Sequence, residues 1–141
     1  MKIFTPLLIA IPLLSFSLFS SAEIAVVVHP SSGVASLTED DIARIFLGKS
    51  KSFPSGSAAV PVNQDEGAPA RDKFNEAVCK KNSSQYKAYW SQLVFTGKGT
   101  APKDGGNDAA VKALVAANPT MVGYVDSSVV DSSVKVVYKI P

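Results

Sequence analysis

The sequence has 141 residues, of which 46% are hydrophobic, with 14 Lys or Arg, 12 Asp or Glu and a formal net charge of +2. This balance is too close to neutral for nucleic acid or an anionic membrane to be the main partner. A single cysteine excludes an intrachain disulfide.

The first 22 residues have the pattern of a secretory signal peptide. Lys2 gives a basic start, Leu7–Leu14 is an apolar run, and Ser20-Ser21-Ala22 supplies the small residues that signal peptidase reads. The apolar run is too short to span a bilayer. We therefore predict a periplasmic protein with one domain over residues 23–141 and no membrane span after cleavage. An uncleaved membrane anchor is the alternative.

The mature chain begins with a predicted strand and helix. Glu23–Val28 is an almost uninterrupted β-branched run, which suits a strand covered on both faces. Thr38 and Asp41 form a capping box at the start of a helix. Gly48 is expected to end that helix.

Residues 60–78 predict a strand, a polar turn and a helix. Val60–Asn63 is the end of a buried strand, and Pro69 occupies the first helical position, where its missing N–H would have had no partner. A strand that passes through a glycine turn into a helix leaves N–H groups facing an anion. The candidate anion-binding residues here are Gly67, Ala68, Ala70 and Arg71.

A third helix is predicted from an apolar stripe at helical spacing, made of Tyr86, Tyr89, Trp90, Leu93 and Val94. So regular a stripe indicates a buried face rather than a platform for a ligand. Thr96–Asn107 then forms the longest irregular segment, and long ordered loops in compact domains are usually functional.

The irregular segment ends in a second candidate anion nest, formed by Gly105, Gly106 and Asn107 at the start of a helix. A glycine pair is also a common joint between a loop and a helix, so both interpretations stay open. Lys98, which lies between two glycines of the same segment, is expected to be a solvated loop residue.

The C-terminal part predicts two strands. Met121–Val125 is a short buried strand, and the alternation in Val134–Ile140 predicts an edge strand with Val134, Val136, Tyr138 and Ile140 on one face. The order β-α-β-α-α-α-β-β indicates an α/β fold with a mixed, mostly parallel sheet flanked by helices.

Four stretches resemble one family, the periplasmic substrate-binding proteins of phosphate ABC transporters. Leu37–Lys49 resembles its segment ending in Ile-Phe-Leu-Gly-Lys, Val60–Phe74 lies where the family has its phosphate loop, and Asn118–Asp126 resembles its Gly-Tyr-Val strand. Ala88–Gly99 is typical of a short, single-lobe branch. The resemblance covers residues 23–141 and implies one lobe of the three-layer type 2 periplasmic-binding-protein (PBP-like) fold.

The phosphate loop departs from the family pattern Arg-x-x-Gly-Ser-Gly-Thr, whose side chains and N–H groups hold phosphate. Gly67 is kept, but Gln64, Ala68 and Ala70 stand where the family has Arg, Ser and Thr, and Pro69 replaces the second Gly. At roughly 1.5–3 kcal/mol for each charge-assisted hydrogen bond, losing three would weaken binding by several powers of ten.

The charges around the loop also matter for an anion. Asp65 and Glu66 add negative charge, and Arg71 is the one cation that could compensate. Two functions therefore stay open. The first is phosphate or oxyanion binding for an ABC uptake system, with a permease as partner. The second is an interaction or assembly module that has lost phosphate binding and contacts another envelope protein.

No catalytic constellation is evident, so we predict that the chain is not an enzyme and needs no cofactor. His29 is the one histidine and has no cysteine partner, so it cannot anchor a usual zinc site. Cys79 lacks an adjacent basic group that would activate its thiol and is expected to be a half-buried filler.

Overall fold

The computed structural model describes Pro12 and residues 23–141. The predicted signal peptide, residues 1–22, lies outside these apart from Pro12. The strands are β1 (Ile24–Val28), β2 (Val60–Asn63), β3 (Lys103–Asp104), β4 (Met121–Asp126) and β5 (Lys135–Ile140). The α-helices are α1 (Glu39–Phe46), α2 (Pro69–Ala77), α3 (Ser83–Phe95) and α4 (Asp108–Ala117), with a 3-10 turn at Ser127–Val129.

The strands form one five-stranded mixed sheet in the order β3-β2-β4-β1-β5. The α/β class and the mixed sheet are confirmed, but the sheet is less parallel than predicted. β1 runs antiparallel to both β4 and β5, whereas β2 runs parallel to β3 and β4. Element order alone does not fix strand direction, and here β1 enters between two strands that run the opposite way.

Helices cover both faces of the sheet and make three layers. Phe46 of α1, Phe74 of α2 and Trp90 of α3 pack on one face in a common cluster with Val26. Val111 and Val115 of α4 pack on the other face with Val27. Every residue of β1 is buried, as its unbroken apolar run predicts.

The predicted ends of α1 are confirmed. Thr38 Oγ1 accepts from the amide of Asp41 at 3.1 Å, and the Asp41 carboxylate accepts from the amide of Thr38 at 3.0 Å. Gly48 lies just beyond the helix with a φ of 72°, a left-handed conformation that glycine adopts without strain. α3 begins with a second capping box, in which Asn82 and Gln85 exchange hydrogen bonds.

The stripe on α3 is buried at Tyr86 and Trp90, as predicted, but not at Val94. Val94 is 51% exposed and its neighbour Phe95 is 92% exposed. Helical spacing identifies one face of a helix but not how far along that face the partner elements reach. In the last turn of α3, Leu93 packs against the core, whereas Val94 and Phe95 stay in solvent.

The last strand does not present one continuous apolar face. β1 and β5 shift register between Val26 and Val27, which pair with Tyr138 and Val136. Val137 is therefore the extra residue of a bulge, and it packs with Ile140 in the cluster below α1–α3. Val134 and Val136 pack in the cluster below α4. A bulge reverses the alternation, and the sequence pattern does not reveal it.

The segment predicted as irregular contains β3, which pairs with β2 at Val62–Lys103 and Asn63–Asp104. This two-residue strand forms one edge of the sheet, and β5 forms the other edge as predicted. Within residues 23–141, none of the helices is long and apolar enough to cross a bilayer.

Candidate functional site

The loop from β2 to α2 carries the first candidate anion site. Gln64 is buried, and the chain emerges at Asp65, Glu66 and Gly67, which are exposed. Gly67 has a φ of 88°, which explains why the turn needs glycine. The turn is closed by the amide of Ala68, which donates to Asp65 O at 3.1 Å.

Few amides at the start of α2 remain for a ligand. Pro69 has no N–H, and the amide of Arg71 donates to Ala68 O at 3.0 Å. Ala68 is the N-cap residue and makes no side-chain cap hydrogen bond. The amides of Glu66, Gly67 and Ala70 have no backbone acceptor among the described residues. Of these, only the amide of Ala70 belongs to the first turn of α2, so the helix start itself offers little to an anion.

The side chain of Gln64 points into the protein, away from the loop. Its Nε2 donates to Asp108 Oδ1 at 2.6 Å and to Tyr124 O at 3.1 Å, and the residue is 2% exposed. Asp108 Oδ1 also accepts from the amide of Asp126 at 2.9 Å. Gln64 therefore fastens the end of β2 to α4 and β4, and the charge that the family places here is absent.

Arg71 is already engaged by an acidic partner. Its Nη1 donates to Asp104 Oδ1 at 2.8 Å and to Gln64 O at 2.9 Å. The Arg71 side chain is 13% exposed, and its Cζ lies 5.8 Å from the centre of the Tyr86 ring. An anion that binds Arg71 would lie beside the Asp104 carboxylate, whose negative charge already balances the guanidinium at hydrogen-bond distance.

The second candidate nest adjoins the first, because the amide of Asp65 donates to Gly106 O at 3.0 Å. The amide of Gly105 donates to Asn63 O at 2.7 Å. A Cβ at Gly105 would lie 2.6 Å from Val62 Cγ1, so glycine is required for close packing there. Asn107 Oδ1 caps α4 by accepting from the amide of Ala110 at 3.0 Å. These residues form a packed joint between loop and helix.

A buried hydrogen-bond network supports the loop from below. Tyr124 donates its hydroxyl to Asn63 Oδ1 at 2.9 Å and accepts from the amide of Gln64 at 3.2 Å. Asn63 Nδ2 donates to the hydroxyl of Tyr86 at 3.0 Å, which in turn donates to Phe46 O at 3.2 Å. Burial raises the pKa of Tyr86 to about 12 and that of Tyr124 further, so both hydroxyls stay neutral.

A cleft of about 500 Å³ lies between the starts of α2 and α4. Its walls include Ala70, Lys73, Asp108 and Asp126. The backbone N–H of Ser128 holds the pKa of Asp126 below its ordinary value, so this carboxylate is charged at neutral pH. The cleft is thus flanked by two carboxylates and one lysine, a charge balance that does not favour a small anion.

The remaining sequence candidates lie apart from this site. Ser31 Oγ is 2.7 Å from His29 Nδ1 in a local turn, and the pair has no orienting carboxylate among the hydrogen bonds of residues 23–141. Burial raises the pKa of the Cys79 thiol to about 12, so the reactive thiolate is scarce at neutral pH. Lys98 is exposed on the segment after α3.

Solved structures that are similar to this chain include phosphate-transport proteins. A phosphate ABC transporter substrate-binding protein from Clostridium perfringens, solved with bound phosphate, matches with a TM-score of 0.66 and 26% identity over 82% of this chain and 45% of its own. An ABC-type phosphate transport receptor from Vibrio cholerae gives a TM-score of 0.63, 19% identity, and 82% and 46% coverage. PstS from Borrelia burgdorferi gives a TM-score of 0.58 and 14% identity, over 82% of this chain and 47% of its own.

This chain therefore has the fold of a phosphate ABC transporter substrate-binding protein, and it spans less than half the length of these structures. That ratio agrees with a short, single-lobe version. These neighbours are transport proteins and not enzymes. No protein-family model matches the sequence, and no curated protein is similar to it.

Proposed function

We propose that the chain is an exported, non-enzymatic interaction module that keeps one solute-binding lobe and binds phosphate weakly or not at all. The observation that carries this proposal is the ion pair between Arg71 and Asp104 at 2.8 Å. The one cation of the loop is bound by a carboxylate of the same chain, and the Gln64 side chain is turned inward. The site that a phosphate would use is thereby filled by internal contacts.

Electrostatics supports the same proposal. Asp65 and Glu66 are exposed in the loop, and Asp104, Asp108 and Asp126 surround it. A phosphate there would meet repulsion from several carboxylates while gaining one contested arginine. A single lobe also leaves the loop open to water, which screens each contact.

Oxyanion binding for an ABC uptake system is the second candidate function. The specific observation in its favour is the 26% identical Clostridium perfringens protein, which was solved with phosphate bound. In that function the ligand would be phosphate or another small oxyanion, and the protein partner would be an ABC permease. In the first function the partner would be another envelope protein.

Calorimetric titration with phosphate separates the two candidates. We expect a Kd no tighter than about 0.1 mM, because the free amides of the loop and one paired arginine supply roughly the 4–5 kcal/mol that corresponds to millimolar affinity. Asp104→Asn should tighten any binding by freeing Arg71, and Arg71→Ala should abolish it.

The loop can also be restored toward the family pattern. The combined change Gln64→Arg, Ala68→Ser, Pro69→Gly and Ala70→Thr should tighten phosphate binding in the same titration. Micromolar affinity in the unchanged protein that survives Arg71→Ala would contradict the proposal and place the phosphate site elsewhere, with Thr96–Asp108 as the first segment to test.

Export is the second testable part of the proposal. We expect the protein recovered from the periplasm to begin at Glu23, since Ser20-Ser21-Ala22 precedes it with the small residues that signal peptidase requires. Mass spectrometry of the purified protein gives the N-terminus directly. Intact Met1 in a membrane fraction would instead indicate an uncleaved anchor.

A further inference from the structure

Acidic and basic residues are separated along this chain. Segments 42–64 and 77–103 contain eight Lys or Arg and no Asp or Glu, whereas all twelve carboxylates lie in the rest of the sequence. The fold brings these two segments together, because the C-terminal ends of α1 and α3 lie beside the start of β2. Arg44, Lys80 and Lys87 pair with carboxylates from other segments, but the end of the molecule where the two segments meet is basic although the whole protein is nearly neutral.

A pocket of about 300 Å³ opens at this basic end. Lys51 and Lys98 line it from opposite segments, and Ile45 and Trp90 also contribute to its lining. Neither lysine forms an ion pair within the described chain, although six other Lys or Arg residues there do. No carboxylate lines the pocket. The two lysines are therefore available to an acidic group from outside.

Exposed apolar residues adjoin the pocket. Phe95 is 92% exposed and Val94 51% exposed, and the chain turns directly from them into the pocket wall. The turn is fixed by the amides of Gly97 and Lys98, which donate to Val94 O at 3.1 Å and to Leu93 O at 2.9 Å. Apolar surface at the centre with charge at the rim is the usual arrangement of a protein–protein interface.

We propose that this surface, formed by Lys51, Lys98, Trp90, Val94 and Phe95, binds an acidic segment of another protein that places one apolar side chain in the pocket. It would supply the contact surface of the interaction module proposed above and in that respect rests on that proposal. Charge complementarity selects the partner, since this is the part of the chain without carboxylates.

Other occupants fit the geometry less well. A flat membrane surface cannot fill a concave pocket. A small desolvated anion would face the C-terminal ends of α1 and α3, where the helix dipoles are negative. The same dipoles would stabilise the positive charge of Lys98, just beyond α3, without any partner. They do not explain why Phe95 is exposed or why segments 42–64 and 77–103 have no acidic residue.

The test is an NMR titration of protein purified from cells that express the full chain. The probe is a capped glutamate-rich peptide with one central leucine, and the control peptide has glutamine in place of every glutamate. We expect the acidic peptide to shift the amides of Lys51 and Gly97–Thr100 at low salt, and the control peptide to bind much more weakly. The amides of Gly67, Ala68, Ala70 and Arg71 report on the phosphate loop in the same spectra, so failure of this surface and failure of the proposed function are distinguishable.

Matched variants identify the responsible lysines. Lys51→Gln with Lys98→Gln should weaken peptide binding about tenfold, the scale expected for two exposed charge pairs. Lys112→Gln with Lys139→Gln removes the same charge from outside segments 42–64 and 77–103 and should leave binding within about twofold. Thermal melts establish that both double variants fold.

Several outcomes would overturn the inference. Equal effects of the two double variants would mean that binding depends only on the net charge of the protein. Equal binding of the glutamine and glutamate peptides would mean that it depends only on apolar contact. Shifts confined to Gly67–Arg71, or no shifts at all, would remove the surface. Self-association that is lost with Lys51→Gln and Lys98→Gln would assign it to a second copy. Tighter binding to phosphatidylglycerol vesicles than to the peptide would assign it to a membrane.

Discussion

Trp90→Ala should lower the free energy of unfolding by about 3–5 kcal/mol, the usual range for deleting a large buried aromatic side chain. Trp90 is 5% exposed, and its Nε1 donates to Phe46 O at 3.1 Å. Its ring also lies close to two glycines: a Cβ at Gly48 would be 2.6 Å from Cη2, and one at Gly99 would be 3.2 Å from Cζ3. Truncation would leave a cavity where α1, α3 and the following segment meet.

Urea unfolding followed by far-UV circular dichroism measures this loss. Val94→Ala is the matched control, because it truncates an apolar residue of the same helix that is 51% exposed. It should change stability by about 0.5 kcal/mol or less. A loss below about 1 kcal/mol for Trp90→Ala would mean that the buried stripe of α3 does not hold the helix to the sheet.

Tyr124→Phe should lower the free energy of unfolding by about 1–3 kcal/mol, because it removes one hydroxyl and leaves two buried polar groups without that hydrogen-bond partner. These groups are Asn63 Oδ1, which accepts from the hydroxyl, and the amide of Gln64, which donates to it. The ring itself stays stacked on Phe74, 4.0 Å between centres. Burial raises the pKa of Tyr124, so the effect should be the same at every pH near neutrality.

The same substitution at Tyr138 is its control. The Tyr138 hydroxyl contacts Glu39 Oε2 at 3.2 Å in a partly buried position, where water can replace the lost contact. Tyr138→Phe should therefore cost about 0.5 kcal/mol or less. If the two variants lost the same stability in urea, the network below the loop would contribute nothing beyond an ordinary surface contact.

Local signals predicted the elements of this fold well. The Thr38–Asp41 capping box, Gly48 and Pro69 each depend on residues within one turn of a helix, and all three behave as the sequence indicates. The predictions that were wrong concern features that depend on residues distant in the sequence. The exposure of Val94 depends on which elements pack against the end of α3, and the bulge at Val137 on the register against β1.

The site shows the same division. The sequence identified Arg71 as the cation of the loop but not its partner Asp104, which lies 33 residues away. It recognised that Gln64 had replaced an arginine but not that Gln64 would bind Asp108, 44 residues away. Both contacts depend on β3 and α4 lying beside the end of β2, and no local periodicity encodes that placement. The one local hint of an acidic partner for Arg71 is Asp104 itself, directly before the glycine pair of the second candidate nest.

The close approach of Gly48 and Gly99 to Trp90 also has an optical consequence. Trp90 is the one tryptophan of the sequence, so the emission of the protein comes mainly from a single indole. That indole is buried and lines the pocket between Lys51 and Lys98. A side chain entering the pocket would alter its fluorescence directly. Trp90 also lines a second pocket together with Arg71 and Asp104, so its emission would respond to a ligand on either side of the indole.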